Sequence, residues 1–109
     1  MRLKHLHQLR IKRNIIEKLN IKIETMNKLL YFSAVWCGPC KALGPIMDQL
    51  AGQGLPVQKI DVDNNQSMSA QYSVRNVPTL IKVDASGVEQ GRLVGNQTPP
   101  AIMTWWNNS

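Results

Sequence analysis

The hydrophobic residues of this chain fall into short runs whose spacing changes along the sequence. A continuous apolar and aromatic run, LLYFSAV at 29–35, is typical of a buried strand. The apolar residues that follow recur at helical spacing, at Leu43, Ile46, Met47 and Leu50. Pro45 should kink that helix, because proline lacks an N–H group and crowds the preceding turn.

The second half of the chain predicts three further strands and a short helix. A strand is predicted at 56–62, PVQKIDV, and a short helix at about 66–73. Residues 79–83, TLIKV, and 90–94, QGRLV, also have strand patterns, and the intervening turn offers Gly87 for a positive φ. Because a helix separates the first two strands, they should be parallel, whereas the last two should form an antiparallel hairpin.

A last helix completes the pattern. Thr98 is expected to cap it, with Pro99 at its first position. Its apolar face carries Ile102, Trp105 and Trp106, which we interpret as packing residues and not as a platform for a ligand. The order β-α-β-α-β-β-α predicts an α/β fold, in which helices cover both faces of a mixed central sheet as three α/β/α layers. A chain of 109 residues supports one such domain with a modest core.

Charge divides the chain into two parts. Residues 1–25 hold seven Lys and Arg against two Glu, whereas residues 26–109 hold six against five acidic residues. We therefore predict a basic N-terminal segment at 1–25 and a domain at 26–109. The segment lacks the apolar run of a secretory signal peptide, and the chain has no stretch of roughly 18 apolar residues. We therefore expect a cytoplasmic protein with no membrane partner.

The basic segment has more than one interpretation. Its leucines and isoleucines favour an amphipathic helix, although Leu19, Ile21 and Ile23 alternate as in a strand. A tether to nucleic acid or to an anionic membrane is an alternative. Its Lys and Arg alternate with aliphatic and not with aromatic residues, so base stacking is not indicated and we expect no nucleic-acid partner. Met26 is also a candidate start, because the central strand follows it directly.

The two cysteines of the chain carry its candidate chemistry. Cys37 and Cys40 flank a Gly-Pro at the point where a strand gives way to a helix. The N–H groups at a helix N-terminus favour the thiolate, which is the form that attacks disulfides. We expect Cys37 to be exposed on the turn and to act as the nucleophile. Cys40, one helical turn on, should lie deeper and resolve the mixed disulfide, which leaves a Cys37–Cys40 disulfide.

Two other functions of a cysteine pair are less consistent with the sequence. A disulfide across four residues closes a small loop and would constrain the unfolded chain little, so a structural staple is not favoured. A structural zinc site needs four ligands, and the histidines that could complete it, His5 and His7, lie in the basic segment. We therefore expect no metal.

The motifs around the cysteines resemble those of the thioredoxin family. WCGPCK at 36–41 is similar to the active-site motif of that family, and KIDVD at 59–63 is similar to its third strand. VRNVPTL at 74–80 resembles the segment that carries its cis-proline, and VGNQTPP at 94–100 resembles the approach to its last helix. The resemblance covers about residues 28–109.

This resemblance implies roles for further residues. Pro78 would be the cis-proline, and the Val77 backbone and Thr79 would meet an extended substrate. Trp36 would pack beside the thiols, and Gly95 would lie in the apolar surface around them. Gly38, Pro39, Lys41 and Lys59 would support the active site.

The sequence departs from the family pattern at Tyr31, where the family usually carries a buried Asp. That Asp is thought to take the proton of the resolving cysteine and to pair with the strand lysine, here Lys59. A tyrosine is a poor base at neutral pH. Either water or Lys59 then assists Cys40, or resolution is slower; alternatively, Tyr31 is simply a core aromatic residue.

The resulting expectation is a disulfide reductase of the thioredoxin type. It would act as a monomer, without a cofactor, on disulfide-containing proteins. The chain has no G-x-G-x-x-G motif for a nucleotide, so a separate reductase, thioredoxin reductase, would recycle it. The alternative is a binding or assembly subunit that uses the same fold without catalysis.

Overall fold

The computed structural model describes residues 26–109. Strand β1, Lys28–Ser33, buries four consecutive residues from Leu29 to Phe32. The apolar pattern predicts a strand as far as residue 35, but β1 ends at Ser33. The chain turns there, since the Cys37 N–H donates to the Ala34 carbonyl. The apolar Val35 therefore belongs to the surface of the turn and not to the sheet.

The three described helices begin and end close to the predicted positions. Helix α1 spans Gly38–Gly52 and contains Pro45. Helix α2, Gln66–Gln71, is a short helix after the polar loop. Helix α3 spans Pro99–Asn108, and the Thr98 side chain caps it by accepting a hydrogen bond from the Ala101 N–H.

The sheet has four strands in the order β2-β1-β3-β4. Strand β2 is Val57–Asp61, β3 is Thr79–Val83 and β4 is Glu89–Val94. Strands β1 and β2 are parallel, whereas β3 runs antiparallel to both β1 and β4. Gly87, in the turn between β3 and β4, has a φ of +83°. The predicted order of elements and the mixed sheet are thus confirmed.

The two faces of the sheet pack against different helices. Leu29, Tyr31 and Leu80 face α1 and α3, which contribute Leu43, Met47, Leu50 and Ile102. On the opposite face, Tyr72 follows α2 and packs with Leu30, Phe32, Ile60, Ile81 and Val83. Helices therefore lie on both sides of the sheet, which confirms the predicted layers. Burial of an aliphatic or aromatic side chain contributes about 1.5–3 kcal/mol, so these two cores are the main source of stability.

Trp105 and Trp106 lie on α3 and are half-buried against the first of these cores. Their rings meet edge to face with centroids 6.3 Å apart. They pack as the sequence predicted. The predictions about a helix or strand in residues 1–25, and about His5 and His7, fall outside the described residues. Among residues 26–109, no helix has both the length and the apolar character needed to cross a membrane.

Candidate redox site

Cys37 and Cys40 form a disulfide at the junction between β1 and α1. Their Cα atoms are 5.3 Å apart, within the usual range for a disulfide. Cys37 is the N-cap residue of α1, and its Sγ accepts a hydrogen bond from the Cys40 N–H at 3.1 Å. One of the free N–H groups at the helix N-terminus is thus directed at the Cys37 sulfur.

The expectation that Cys37 would be exposed, with Cys40 deeper, is wrong for this disulfide form. Cys37 is 4% exposed and Cys40 is 6% exposed. The sulfurs are covered because Ala34, Val62 and Val77 pack around them. The burial arises from residues that follow β1 and β2 or precede β3, a packing that the local sequence does not encode.

The segment before β3 forms one wall of the site. The Val77–Pro78 peptide bond is cis, and the Val77 carbonyl oxygen lies 3.6 Å from the Cys37 Sγ. The Gly95 N–H donates to the Pro78 carbonyl at 2.9 Å, with Gly95 in the positive-φ region at +88°. The Thr79 hydroxyl is buried and donates to the Asn76 carbonyl. Val77 therefore lies beside the disulfide, and Pro78, Thr79 and Gly95 are joined to the same segment by the chain and by these hydrogen bonds.

Trp36 precedes the disulfide in the turn after β1. Its side chain is 66% exposed, next to Val35, which is also exposed. Its Nε1–H donates to the Asp63 carboxylate at 2.9 Å. This hydrogen bond joins the cysteine turn to the loop after β2. Gly38 and Pro39 open α1 and are exposed, as is Lys41 in its first turn.

Tyr31 is a core residue of β1 that contacts the backbone of Cys40. It is 2% exposed, and its hydroxyl donates to the Cys40 carbonyl at 3.2 Å. Burial raises the pKa of Tyr31 above its ordinary value of 10.0, against smaller opposing effects of Ser33 and Lys59. The phenol is therefore uncharged at neutral pH and cannot accept the proton of a thiol.

Lys59 forms an ion pair with Asp48 of α1, and both side chains are more than half exposed. Lys59 therefore does not form the buried ion pair with a carboxylate at position 31 that the family pattern suggested. Lys59 and Tyr31 nevertheless line one cavity of about 220 Å³, which is largely open to solvent and reaches Cys40. Ser33 and Asp61 also line it, and the sequence analysis identified neither. Asp61 stands two residues after Lys59 in KIDVD, so strand periodicity would have placed both on the same face.

Comparison with known proteins agrees with the fold and the cysteine pair. A model of the thioredoxin family matches residues 13–108. Thioredoxin of Staphylococcus epidermidis is 44% identical over 79 residues, which are 70% of this chain and 75% of that protein. Thioredoxin of Staphylococcus aureus is 40% identical over the same shares of the two chains.

Solved structures give the same result. A mutant thioredoxin of Halobacterium salinarum superimposes with a TM-score of 0.69 at 38% identity, over 79% of this chain and 76% of its own. Thioredoxin of Fasciola hepatica superimposes with a TM-score of 0.71 at 30% identity, over 86% and 91% of the two chains. With two cysteines that are separated by two residues and joined in a disulfide, the chain belongs to the thioredoxin family of thiol-disulfide oxidoreductases.

Proposed function

We propose that the chain reduces protein disulfides by a cycle in which Cys37 is the nucleophile and Cys40 is the resolving thiol. The observation that carries this proposal is the position of Cys37 at the N-cap of α1, where its sulfur accepts the Cys40 N–H. In the reduced protein, the same N–H and the helix N-terminus favour a thiolate at Cys37. Cys40 lies inside the first turn and has no equivalent cap interaction.

The cycle has two exchanges. The Cys37 thiolate attacks one sulfur of a substrate disulfide, and the other substrate sulfur leaves as a thiolate that takes up a proton. Cys40 then loses its proton and attacks the Cys37 sulfur, which forms the Cys37–Cys40 bond and breaks the bond to the substrate. The substrate has gained two electrons and two protons, and the protein is left as the disulfide described above.

The surface around Cys37 supports binding of an extended substrate segment. Val35 and Trp36 expose apolar surface in the turn that leads to Cys37. The Val77 carbonyl lies beside the Cys37 sulfur, and Val94, which is 50% exposed, precedes Gly95. Pairing of a substrate with the backbone at Val77 and Thr79 would hold its disulfide beside Cys37.

The partners are disulfide-containing proteins and a reductase, in keeping with the family. We propose thioredoxin reductase for the latter, no nucleic-acid partner, and a monomer, since one chain supplies every residue of the cysteine site. We also propose the cytoplasm as the compartment. Both cysteines of the chain are in the redox motif, and a reducing compartment would return them to the dithiol form. The intact disulfide offers no support for a non-catalytic binding subunit.

Three measurements test the proposal. Insulin reduction is followed with and without thioredoxin reductase, and we expect turnover only when the reductase or a chemical dithiol is present. Cys40→Ser should then trap a mixed disulfide with substrate, whereas Cys37→Ser should be inactive and trap nothing. Alkylation of the reduced protein at neutral pH should modify Cys37 first. Faster alkylation of Cys40 would show that the two roles are assigned wrongly.

A further inference from the structure

We propose that Asp61 accepts the proton of the Cys40 thiol, through water held in the cavity that both residues line. This inference rests on the proposed role of Cys40 as the resolving thiol. That step requires the thiol to lose its proton inside the protein, because the thiolate is the attacking form. The question is which group of this chain receives it.

The sheet places Asp61 on the side where Cys40 lies. In the parallel pairing of β1 with β2, Tyr31 is opposite Lys59 and Ser33 is opposite Asp61. Tyr31 packs against α1, and alternate residues of a strand share a face, so Ser33, Lys59 and Asp61 lie on the α1 side of the sheet. Asp61 ends β2 at the same edge of the sheet from which β1 leads into the cysteine turn.

The cavity between them has room for water. Its volume is about 220 Å³. A single water needs only roughly 10–15 Å³ of such space, together with polar partners. The Ser33 hydroxyl, the Tyr31 hydroxyl and the Asp61 carboxylate supply polar partners along its wall.

The other ionisable side chains among the described residues that line the cavity are a buried phenol and two ammonium groups. Tyr31 is uncharged, because burial raises the pKa of its phenol. Lys59, from β2, is engaged as a cation with Asp48, and Lys41, from α1, is the second ammonium group in the lining. Within residues 26–109, Asp61 is the one carboxylate that lines this cavity.

The neighbours of Asp61 hold its carboxylate without neutralising it. One oxygen accepts the Asp63 N–H at 2.9 Å, and the other accepts the Asn64 side-chain N–H at 3.1 Å. Each carboxylate oxygen has two lone pairs, so acceptor capacity remains for water. In the proposed step the Cys40 proton passes to water, and a proton of that water passes to Asp61. The Cys40 thiolate then attacks the Cys37 sulfur, and the substrate thiolate leaves.

The test separates the two exchanges in the full chain. The reduced protein is mixed with 5,5′-dithiobis(2-nitrobenzoate), and the release of nitrothiobenzoate is followed by stopped flow. The first phase reports attack by Cys37 and the second reports resolution by Cys40. A general base typically accelerates a proton-transfer step about 10²–10⁴-fold. Hydroxide can replace Asp61 in part, so we expect Asp61→Asn to slow the second phase only about tenfold at pH 7. The first phase should stay within about twofold of the wild type, since Asp61 takes no part in the attack by Cys37 on the substrate disulfide.

The pH profile distinguishes proton transfer from a structural effect. In Asp61→Asn the second phase should become steeply dependent on hydroxide and approach the wild-type rate at high pH. Asp61→Glu should recover part of the rate at pH 7. Asn65→Ala removes a loop hydrogen bond to the Asp61 backbone carbonyl and leaves the contacts of the carboxylate in place. Asp48→Asn removes the partner of Lys59 and lies outside the cavity lining. Both controls should leave the second phase within about twofold, because neither removes the proton acceptor.

Three results would overturn the inference. One is a second phase in Asp61→Asn with unchanged rate and pH profile. Another is an equal slowing in Asn65→Ala, which would assign the effect to the loop and not to the carboxylate. Asp61→Ser replaces Asp61→Asn in this comparison if Asp61→Asn does not fold. The third is a wild-type protein in which Cys37 does not react first, which would overturn the cysteine roles themselves, independently of any Asp61 variant.

Discussion

The Tyr31 hydroxyl donates a hydrogen bond to the backbone carbonyl of Cys40, 3.2 Å away. This contact joins the middle of β1 to the first turn of α1, beside the cavity that Tyr31 and Cys40 both line. Tyr31 is at the same time a core residue, packed with Leu43 and Met47. The position at which the family usually has an acid is therefore filled by a neutral group that holds the cysteine turn in place.

Tyr31→Phe should lower stability without changing the redox roles. The substitution keeps the buried ring and removes one hydrogen bond, whose net contribution is about 0.5–1.5 kcal/mol. Urea unfolding at neutral pH measures the loss. Tyr72→Phe is a matched control, because it removes the bond from Tyr72 to the Gly87 carbonyl on the other side of the sheet. Wild-type stability in Tyr31→Phe would mean that the contact to Cys40 contributes nothing to the fold.

Tyr31 also predicts a loss of stability in alkali. Burial raises the pKa of its phenol in the folded protein above the ordinary value of 10.0 that applies to the unfolded chain. The neutral phenol therefore contributes stability that is fully present below that value and is lost as the pH rises through the folded pKa. Tyrosinate absorbance should show one residue that ionises late, and the late step should be absent from Tyr31→Phe. A complete early titration in the wild type would contradict this prediction.

Tyr31→Asp should accelerate resolution of the mixed disulfide, since it puts a second carboxylate beside Cys40. Its cost is stability, because a buried carboxylate without a partner is unfavourable. Lys59, opposite position 31 in the sheet, is the cation that would offset part of that cost. The second stopped-flow phase measures the rate, with Tyr31→Phe as the comparison. An Asp variant that folds normally and resolves no faster would show that proton removal does not limit this step.

An ion pair on β4 gives a prediction at acid pH. Arg92 donates to the Glu89 carboxylate, and this hydrogen bond lowers the pKa of Glu89 below its ordinary value. The stabilisation is therefore present above the pKa of the unfolded carboxyl and is lost as the pH falls through the lower, folded pKa. Both side chains are about one-third exposed, so Glu89→Gln should cost less than about 1 kcal/mol at pH 7 and nothing in strong acid.

Urea midpoints at the two pH values provide the measurement for this pair. Added salt should reduce the difference at pH 7, because it screens exposed charges. Arg92→Ala should cost more than Glu89→Gln, since Arg92 also donates to the Tyr72 carbonyl at 2.7 Å. Equal midpoints of wild type and Glu89→Gln at pH 7 would contradict a contribution from the pair.

The sequence predicted the elements better than it predicted the surface of the site. The strand at 79–83 and the helix from Pro99 follow from local patterns and capping, and the structure has both at those positions. The burial of Cys37 depends on Val62 and Val77, which are distant in sequence and are brought together only by the sheet. The apolar character of Val35 predicts a strand residue, yet Val35 is 80% exposed at the rim of the site.

Asp61 is a second site residue whose position could not be predicted from the local sequence. Its two nearest hydrogen-bond donors are local and typical of a loop, so the sequence around it gives no sign of a cavity. Only the pairing of β2 with β1 puts it beside Ser33 and the cysteine turn. Spacing within one strand can assign a residue to a face, but the helix that covers this face is known only from the packing.

Deletion of residues 1–25 should leave the cysteine chemistry intact, because every residue of the proposed cycle lies after Met26. The same deletion is expected to affect the stability of the domain, because the family model matches from residue 13 and therefore includes part of the deleted segment. Leu9, Ile15, Ile16 and Leu19 are its helix-spaced apolar residues. If they pack on the domain, their burial is worth about 1.5–3 kcal/mol each, set against the ordering entropy of the segment.

Three chains, 1–109, 13–109 and 26–109, make this prediction measurable by insulin reduction and thermal unfolding. We expect all three to reduce insulin and the shortest to melt lowest or to aggregate, with 13–109 closer to the full chain because it keeps Ile15, Ile16 and Leu19. Equal melting temperatures would show that residues 1–25 contribute no packing and would support a boundary at Met26. A folded 26–109 without reductase activity would show that the segment contributes to the site, and that the proposed cycle lacks one of its parts.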